Sequence, residues 1–345
     1  MSLPHLDRSG RPTLRTVAAL AGVHVSTASR ALSDSPRANE RSGSERTVAR
    51  IREIADQVGF ERNPHGAGLR TSRSRLIGVL VPRLSDVVLA TIYEGIEDRA
   101  RSLGYQTFVA NGRDQPEIRR VRLEMLLARR VDGLILGDAH GEADELLESL
   151  GARGTTFVLT NRHSGAHPSV TCDDYLGGRL AAEHLIDLGH DDVAVVAGEP
   201  YASTGRDRTA GFLDVCAERG IHVPPERVVH SRFDVEGGRR GAAELLAAPA
   251  PPTALFVVND FAAIGAMGAA RTAGRSVGSD LAIVGYNDTP LVSQLPVPLT
   301  SVASPMHEMG SRAAQMLSDL IDGKPVESER LAPTLHARES STGVR

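Results

Sequence analysis

Short apolar runs alternate with longer amphipathic segments over most of the chain. Five or six mainly apolar residues form a predicted strand at each of seven places: 76–81, 106–110, 131–136, 155–159, 193–197, 254–258 and 281–285. Apolar residues recur at helical spacing in eight further segments, near 88–103, 117–130, 142–150, 177–188, 206–219, 236–247, 260–273 and 306–321. Apolar strands separated by helices are typical of a parallel sheet covered on both faces. Because about 270 residues exceed the usual size of one such sheet, the pattern predicts two α/β lobes.

The first 60 residues follow a helical period without strands. Four apolar residues recur at i, i+3, i+4 and i+7 behind Thr13, a plausible N-cap: Leu14, Val17, Ala18 and Ala21. A small-residue turn at 21–23 precedes a second short helix, in which Ala28 and Leu32 face inward. Its predicted outward-facing residues are Val25, Ser26, Ser29 and Arg30. Two short helices joined by a glycine turn indicate either a helix-turn-helix or an ordinary helical hairpin.

A third helix and a linker complete this region. Ser44 is the predicted N-cap of the third helix, and Gly59 ends it at the C′ position. Its inner face consists of Val48, Ile51, Ile54, Ala55 and Val58. Three helices within fewer than 50 residues predict a small bundle. The polar, basic stretch that follows contains Pro64, Gly66 and Gly68 and is predicted to be a linker.

Charge is distributed unevenly between the two regions. Residues 1–75 contain 13 arginines and 7 acidic residues, a net charge of +6, whereas the whole chain carries −4. A basic head on an acidic body is typical of a nucleic-acid-binding module attached to a body with another task. The N-terminus lacks the apolar core of a signal peptide, and no apolar run approaches the roughly 18 residues of a membrane span. We therefore expect a cytoplasmic protein with no membrane partner.

The chain has only two cysteines, Cys172 and Cys216. They lie far apart in the sequence and next to apolar segments, which indicates buried thiols and neither a disulfide framework nor a metal site. No cofactor and no metal are expected.

Several segments, in a fixed order, carry a resemblance to a known family. They are TLRTVAALAGVHVSTASRAL (13–32), RSRLIGVLVP (73–82), RRVDGLIL (129–136), LAAEHLIDLGHDDVAVVAG (180–198), RDRTAGF (206–212), LFVVNDFAAIGA (255–266), IVGYND (283–288), LTSV (299–302) and LHARES (335–340). Together they resemble the LacI/GalR family of bacterial transcriptional regulators. The resemblance implies a helix-turn-helix headpiece, a hinge and a periplasmic-binding-protein-like core, acting as a homodimer on a pseudo-palindromic double-stranded DNA operator. It also implies that an effector bound between the lobes, a sugar or related metabolite, controls operator affinity, most often in a repressor.

The fold class expected is therefore α/β, with a three-helix headpiece and a two-lobed core of parallel sheets. The expected divisions are a loose tail over 1–12, a headpiece over 13–60, a hinge over 61–75 and a core over 76–340. Within the core, lobe 1 is expected over about 76–173 and 303–330, and lobe 2 over about 174–300 and 331–340. The sequence departs from the family at His24, where a serine usually caps the recognition helix, and at Gly66 and Gly68, which weaken a hinge helix.

DNA contacts are expected from the second helix and the hinge. In a helix-turn-helix the second helix enters the major groove, and Val25, Ser26 and Arg30 lie at its base-reading positions. Arg30 has the fork geometry to pair with a guanine, and Val25 is suited to a thymine methyl group. Hydroxyls suited to phosphate contacts are those of Thr13, Thr27 and Ser29. The resemblance adds Asn63 at the hinge start and Leu69 as the residue that enters the minor groove; otherwise Leu69 anchors the linker on the core.

Effector contacts are expected at the carboxyl ends of the strands, between the lobes. The resemblance assigns Arg208 to effector hydroxyls or carboxylates, Asn259 and Asn287 to the cleft, and Phe233 to a position against the ligand. Four weaker candidates are Asp86, Asn161, Asp173 and Thr204. Because Asn and Asp also favour turns, loop capping is the alternative role for such residues.

Two other functions compete with the regulator. A solute-binding receptor with the same core fold lacks DNA activity, and it requires a secretion signal and no basic headpiece. An α/β enzyme is the other possibility, but the sequence contains no G-x-G-x-x-G after a strand, no phosphate loop, no HExxH and no G-x-S-x-G. We therefore expect a regulator and not an enzyme.

Overall fold

The computed structural model describes residues 5–6, 10–32, 44–60, 73–141 and 143–343. The chain divides into two compact units, residues 1–74 and 75–345. Each unit has its own apolar core. No helix in the described ranges is long and apolar enough to cross a membrane.

In its described residues the first unit contains three helices: α1 (Leu14–Ala21), α2 (Val25–Ala31) and α3 (Glu45–Gln57). Thr13 caps α1 in a capping box with Thr16, and Gly22 ends it in the left-handed conformation at φ 65°. Ser44 caps α3 as predicted, and Gly59 follows it at φ 64°. The helices enclose a core of small and branched residues: Val17, Ala18, Ala21, Ala28, Ala31, Ile51 and Ala55.

His24 supplies the cap that the sequence left in doubt. Its Nδ1 accepts a hydrogen bond of 3.3 Å from the backbone N–H of Ser26, so the imidazole replaces the usual serine at the start of α2. The prediction for Val25 is corrected: this residue does not point fully outward, because it is half-buried and packs against the headpiece core.

The part of the second unit that the structure describes contains two six-stranded sheets. The first sheet has the order β11-β5-β4-β3-β1-β2, and all its neighbouring strands are parallel. Its strands are β1 (Leu76–Val81), β2 (Gln106–Asn111), β3 (Gly133–Leu136), β4 (Phe157–Thr160), β5 (Ser169–Cys172) and β11 (Glu329–Leu331). Its helices are α4 (Val87–Ser102), α5 (Pro116–Ala128), α6 (Glu145–Ala152) and α11 (Met306–Ile321). These elements form lobe 1.

The second sheet has the order β12-β10-β9-β8-β6-β7 and is parallel except for the antiparallel edge pair β10–β12. Its strands are β6 (Val193–Ala197), β7 (Val228–His230), β8 (Ala254–Val257), β9 (Ala282–Asn287), β10 (Thr300–Ala303) and β12 (Thr334–His336). Its helices are α7 (Asp174–Asp187), α8 (Ser203–Glu218), α9 (Val235–Leu246), α10 (Asp260–Thr272) and the short α12 (Glu339–Thr342). Short 3₁₀ turns occur at Pro225–Arg227 and Val292–Gln294. These elements form lobe 2.

The chain passes between the lobes three times, after β5, after β10 and after β11. Residues 300–303 belong to the second sheet and residues 329–331 to the first. All seven predicted strands and eight predicted core helices are present, with ends shifted by a few residues, and the five additional strands are short.

Close helix pairs cover the sheets. The helices α4 and α11 cross where Gly95 lies against the carbonyl of His307 and Gly310 against the carbonyl of Ile92. Glycine pairs mark the α7–α8 and α9–α10 crossings in the same way, at Gly178 with Gly211 and at Gly238 with Gly265. Both cysteines are free and buried, as the sequence predicted.

Candidate functional site

The outer face of α2 carries the residues expected to read DNA. Ser26 is exposed, whereas Thr27, Ser29 and Arg30 are half-buried. Arg30 Nε donates to the Ser26 carbonyl at 3.1 Å, which holds the side chain along the helix. The hydroxyl of Thr13 acts as the α1 cap and donates to the carbonyl of His5 at 2.6 Å. Asn63 and Leu69 lie outside the described residues.

A cavity of about 270 Å³ opens between the two lobes of the core. Lobe 1 lines it with residues that follow β1, β2 and β4, and lobe 2 with residues that follow or end β6, β7, β8 and β9. The carboxyl ends of both parallel sheets therefore meet at this cavity, as the predicted topology requires. Seven predicted effector residues lie in its lining: Asp86, Asn161, Thr204, Arg208, Phe233, Asn259 and Asn287.

Arg208 lies on α8 and is 4% exposed. Its Nε donates to Asp174 Oδ1 at 2.7 Å and its Nη1 to the Val258 carbonyl at 2.8 Å. The guanidinium carbon lies 3.7 Å from the centre of the Tyr286 ring. Neither hydrogen bond uses Nη2, so this buried, rigidly held group keeps donor capacity for a ligand.

Three asparagines contribute amides to the lining. Asn259 is buried, and its side chain caps α10 by accepting from the N–H of Ala262 at 3.1 Å. Asn287 ends β9 at φ 103°, and Asn161 follows β4 at φ 63°. A positive φ strains the backbone of a non-glycine residue, and residues strained in this way cluster at binding sites. Asn287 Oδ1 is buried without a hydrogen-bond partner, and a ligand donor would satisfy it.

The aromatic wall is built around Phe233. Its ring packs so closely on Gly198 that a Cβ there would overlap the ring, and Gly205 lies against the same edge. Thr204 is buried in the first turn of α8, and the N-cap residue of that helix, Ala202, makes no side-chain capping bond. The backbone N–H groups of this turn therefore suit a ligand oxygen.

Two aspartates show the capping role. Asp173 is not among the lining residues; it caps α7 by accepting from the N–H of Leu176 at 3.0 Å, the alternative role that its residue type allows. Asp86 lines the cavity and also caps α4, accepting from the N–H of Val88 at 3.0 Å. Burial raises the pKa of Asp86, against the opposing effects of this bond and of nearby arginines.

Sequence reasoning missed a charged group on the same cavity. Asp114 follows β2 at φ 55° and pairs with both terminal nitrogens of Arg162, at 2.8 and 2.9 Å. Tyr201 of lobe 2 donates to the same carboxylate at 3.1 Å. The guanidinium of Arg162 lies 5.5 Å from the centre of the Tyr201 ring. The other missed lining residues include Arg83, Arg113, Glu199 and Arg232.

The headpiece and the second part of the core match two protein-family models. Residues 13–63 match the model for bacterial regulatory proteins of the lacI family, and residues 182–341 match a periplasmic binding protein-like domain. The chain is also 30% identical over 334 residues to the ribose operon repressor of Haemophilus influenzae, which covers 95% of this chain and 98% of that protein.

Two solved structures are similar over nearly the whole chain. The lac repressor dimer bound to operator and the anti-inducer ONPF gives a TM-score of 0.86 at 28% identity, covering 96% of this chain and 99% of the other. A complex of the transcriptional regulator CelR with cellobiose gives a TM-score of 0.72 at 30% identity, covering 96% of this chain and all of the other.

Proposed function

The chain belongs to the lacI family of bacterial regulatory proteins, and from this premise we propose that it represses transcription as a homodimer controlled by a neutral, polyhydroxylated effector. The family assignment makes it a sequence-specific DNA-binding regulator whose operator affinity depends on a small molecule. Repression, the dimer and the class of effector are the proposal. Its target is a pseudo-palindromic operator on bacterial DNA, so its site of action is the cytoplasm.

The charge balance of the cavity is the observation that carries the choice of effector. Among the described residues its lining contains five arginines and three carboxylates, and Asp174 and Asp234 lie in direct contact with lining arginines. The two buried arginines, Arg162 and Arg208, each have a carboxylate partner at hydrogen-bond distance. Because these two buried cationic groups are already neutralised, an anionic ligand gains little net attraction from them and loses its hydration.

The uncharged groups of the cavity match hydroxyl groups. An asparagine side chain offers both donors and acceptors, so it can bind a hydroxyl in either direction, and Arg208 adds a donor to a hydroxyl oxygen. The Phe233 ring provides an apolar surface for the C–H face of a sugar. The ribose operon repressor and the cellobiose complex among the similar proteins favour the same class of ligand.

The headpiece favours the regulator over a solute-binding receptor with the same core. Residues 13–63 match the DNA-binding model, and the region up to residue 75 carries +6. Arginine contacts to phosphates release counterions, so operator affinity is expected to fall steeply as salt rises. The predicted DNA contacts of Ser26 and Arg30, and those of Asn63 and Leu69, remain part of this proposal.

A paired ligand screen tests the effector class. Thermal unfolding of the full chain is measured with D-glucose against D-glucuronate, D-ribose against D-ribose 5-phosphate, and cellobiose alone. A ligand present at 100 times its Kd adds about 2.7 kcal/mol of stability, which raises the melting temperature by several degrees. We expect stabilisation by a neutral sugar and none by its acidic counterpart. Stabilisation by the acidic members alone would overturn the neutral assignment.

Operator selection tests the DNA side independently. Genomic fragments retained by the full chain at low salt are sequenced, and affinity for the enriched site is measured over a range of salt concentrations. We expect an inverted repeat and a linear fall of log K with log salt. Retention that does not depend on sequence or salt would remove the regulator function.

A further inference from the structure

Direct contacts join the two lobes beside the effector cavity. Lobe 1 contributes Asp114, His140 and Arg162, from the loops that follow β2, β3 and β4. Lobe 2 contributes Tyr201, from the short loop between β6 and α8. We call these four residues the clasp.

Asp114 is the centre of the clasp. Its Oδ1 accepts from Arg162 Nη1 and His140 Nε2, each at 2.8 Å. Its Oδ2 accepts from Arg162 Nη2 at 2.9 Å and from the Tyr201 hydroxyl at 3.1 Å. A carboxylate has about four acceptor positions, so protein donors occupy all of them. Asp114 therefore lines the cavity without capacity for an effector hydroxyl.

The protonation states of Asp114 and Tyr201 both favour the bond between them. Burial alone would raise the pKa of Asp114, but the hydrogen bonds from Arg162 and His140 hold it below its ordinary value, so the group is an ionised acceptor. Burial and the neighbouring Asp114 charge raise the pKa of Tyr201, so its phenol stays protonated and donates. A hydrogen bond from a neutral donor to a buried carboxylate is among the stronger ones in proteins.

The ring and the backbone of Tyr201 also contact lobe 1. The His140 ring centre lies 4.3 Å from the ring centre of Tyr201. The Tyr201 carbonyl accepts from the N–H of Gly141, a lobe 1 residue, at 2.8 Å. A second backbone contact lies nearby, where the N–H of His163 donates to Ser203 Oγ at 3.0 Å. These two amides are paired only while the lobes are in contact.

We propose that Tyr201 is a positioning residue, which holds the two walls of the effector cavity together through its bond to Asp114. Ligand affinity depends on Tyr201 through the fraction of core in which the walls are in contact, because a site that is formed only part of the time binds in proportion to that fraction. This consequence rests on the proposed function, whereas the contact between the lobes does not.

Amide exchange in the Tyr201→Phe variant tests the clasp without ligand or DNA. The variant keeps the ring and the backbone contact and removes only the hydroxyl. Residue-resolved hydrogen–deuterium exchange is measured for Gly141 and His163 in the full chain. We expect both amides to exchange about ten- to a hundredfold faster than in the unsubstituted chain, the factor that one hydrogen bond to a charged group represents. The amides of β6 and β8, which are paired within lobe 2, keep their rates.

Tyr175→Phe is the matched control. Tyr175 also donates to an aspartate, Asp214, at 2.7 Å, but that pair lies within lobe 2 between α7 and α8. The control is expected to leave Gly141 and His163 unchanged. Unchanged exchange of these amides in Tyr201→Phe would overturn the proposal, and so would an equal acceleration in β6 and β8, which would make Tyr201 a support of the whole fold. Since no effector is used, these results are independent of the ligand screen.

Discussion

The buried pair of Arg208, which lines the effector cavity, and Asp174 provides the sharpest test of how buried charges beside the cavity are stabilised. Arg208 is 4% exposed and Asp174 5%, and their bond of 2.7 Å joins α8 to α7. Replacing Arg208 by Gln alone leaves a buried carboxylate unpaired, and replacing Asp174 by Asn alone leaves a buried guanidinium unneutralised. Each single change is expected to cost about 3–5 kcal/mol of unfolding free energy, because breaking one side of a buried pair leaves an uncompensated charge.

The double variant Arg208→Gln/Asp174→Asn contains no buried charge at this position. Its loss should be no larger than that of either single variant, so the coupling energy of the cycle is about 3 kcal/mol or more. Part of the cost remains, since the contacts of Arg208 with the Val258 carbonyl and the Tyr286 ring are also lost. Urea unfolding of the full chain measures the effect as a shift of the midpoint at constant slope.

The exposed pair Arg179–Glu218 is the matched control, because it also joins α7 to α8 and makes two bonds of 2.8 Å. Solvent screens this pair, so the corresponding Gln substitutions should show little coupling. Losses of unfolding free energy at Arg208 and Asp174 that simply add, or that are as small as those of the control, would refute the argument that the two buried charges neutralise each other beside the cavity.

Three further predictions concern packing, pH and DNA reading. Gly211→Ala should lower the unfolding free energy by about 1–3 kcal/mol, because the new Cβ would meet the Tyr175 carbonyl at a helix crossing. Gly268→Ala, whose Cβ would have no atom within 4 Å, should stabilise α10 by about 0.5–1 kcal/mol. Thermal unfolding measures both changes, and equal effects would contradict the close packing at Gly211. Burial raises the pKa of Asp260 from 3.8 to about 6, so its contribution to stability is complete below pH 3.8 and is lost as pH rises through about 6. Urea midpoints against pH should show this fall, and Asp260→Asn should lack it; a parallel fall in the variant would assign it to another group. Arg30→Ala should weaken binding to the selected operator by about 1–3 kcal/mol and to random DNA little, whereas equal losses by fluorescence anisotropy would make Arg30 a phosphate contact.

The sequence predicted the fold well because its strongest signals are local. Apolar runs such as 76–81 and 193–197 can only be buried strands in this context, and each helix between them carries its own apolar face. The strands that were not predicted are short and partly polar, such as Ser169–Cys172 and Glu329–Leu331. Their pairing depends on neighbours far along the chain, which periodicity does not contain.

The residues of the cavity were likewise predicted only in part. Asn259 and Asn287 were placed at the cavity because each follows or ends a predicted strand, and strand ends meet at the cleft, whereas Phe233 was placed there by the family resemblance, since the strand before it was not predicted. No local sequence signal marks Asp114, Arg162 and Tyr201. Their role depends on hydrogen bonds among the three, which are far apart in the sequence. Asp173 was included although it caps α7, since an aspartate after a strand has the same local signature whether it binds a ligand or caps a helix.

The three passages between the lobes also determine when lobe 1 can be completed during synthesis. Its helix α4 shares one apolar core with α11, to which α4 contributes Ile92 and Ile96 and α11 contributes Met309 and Leu317. The ribosome makes α11 much later than α4. About 200 residues lie between the end of α4 and the start of α11, so at about 5–20 residues per second about 10 to 40 s separate their translation. During this interval the elements of lobe 2 from α7 to β10 can form while the face of α4 waits for its partner. Nascent chains paused before residue 306 are therefore expected to bind chaperones through this face.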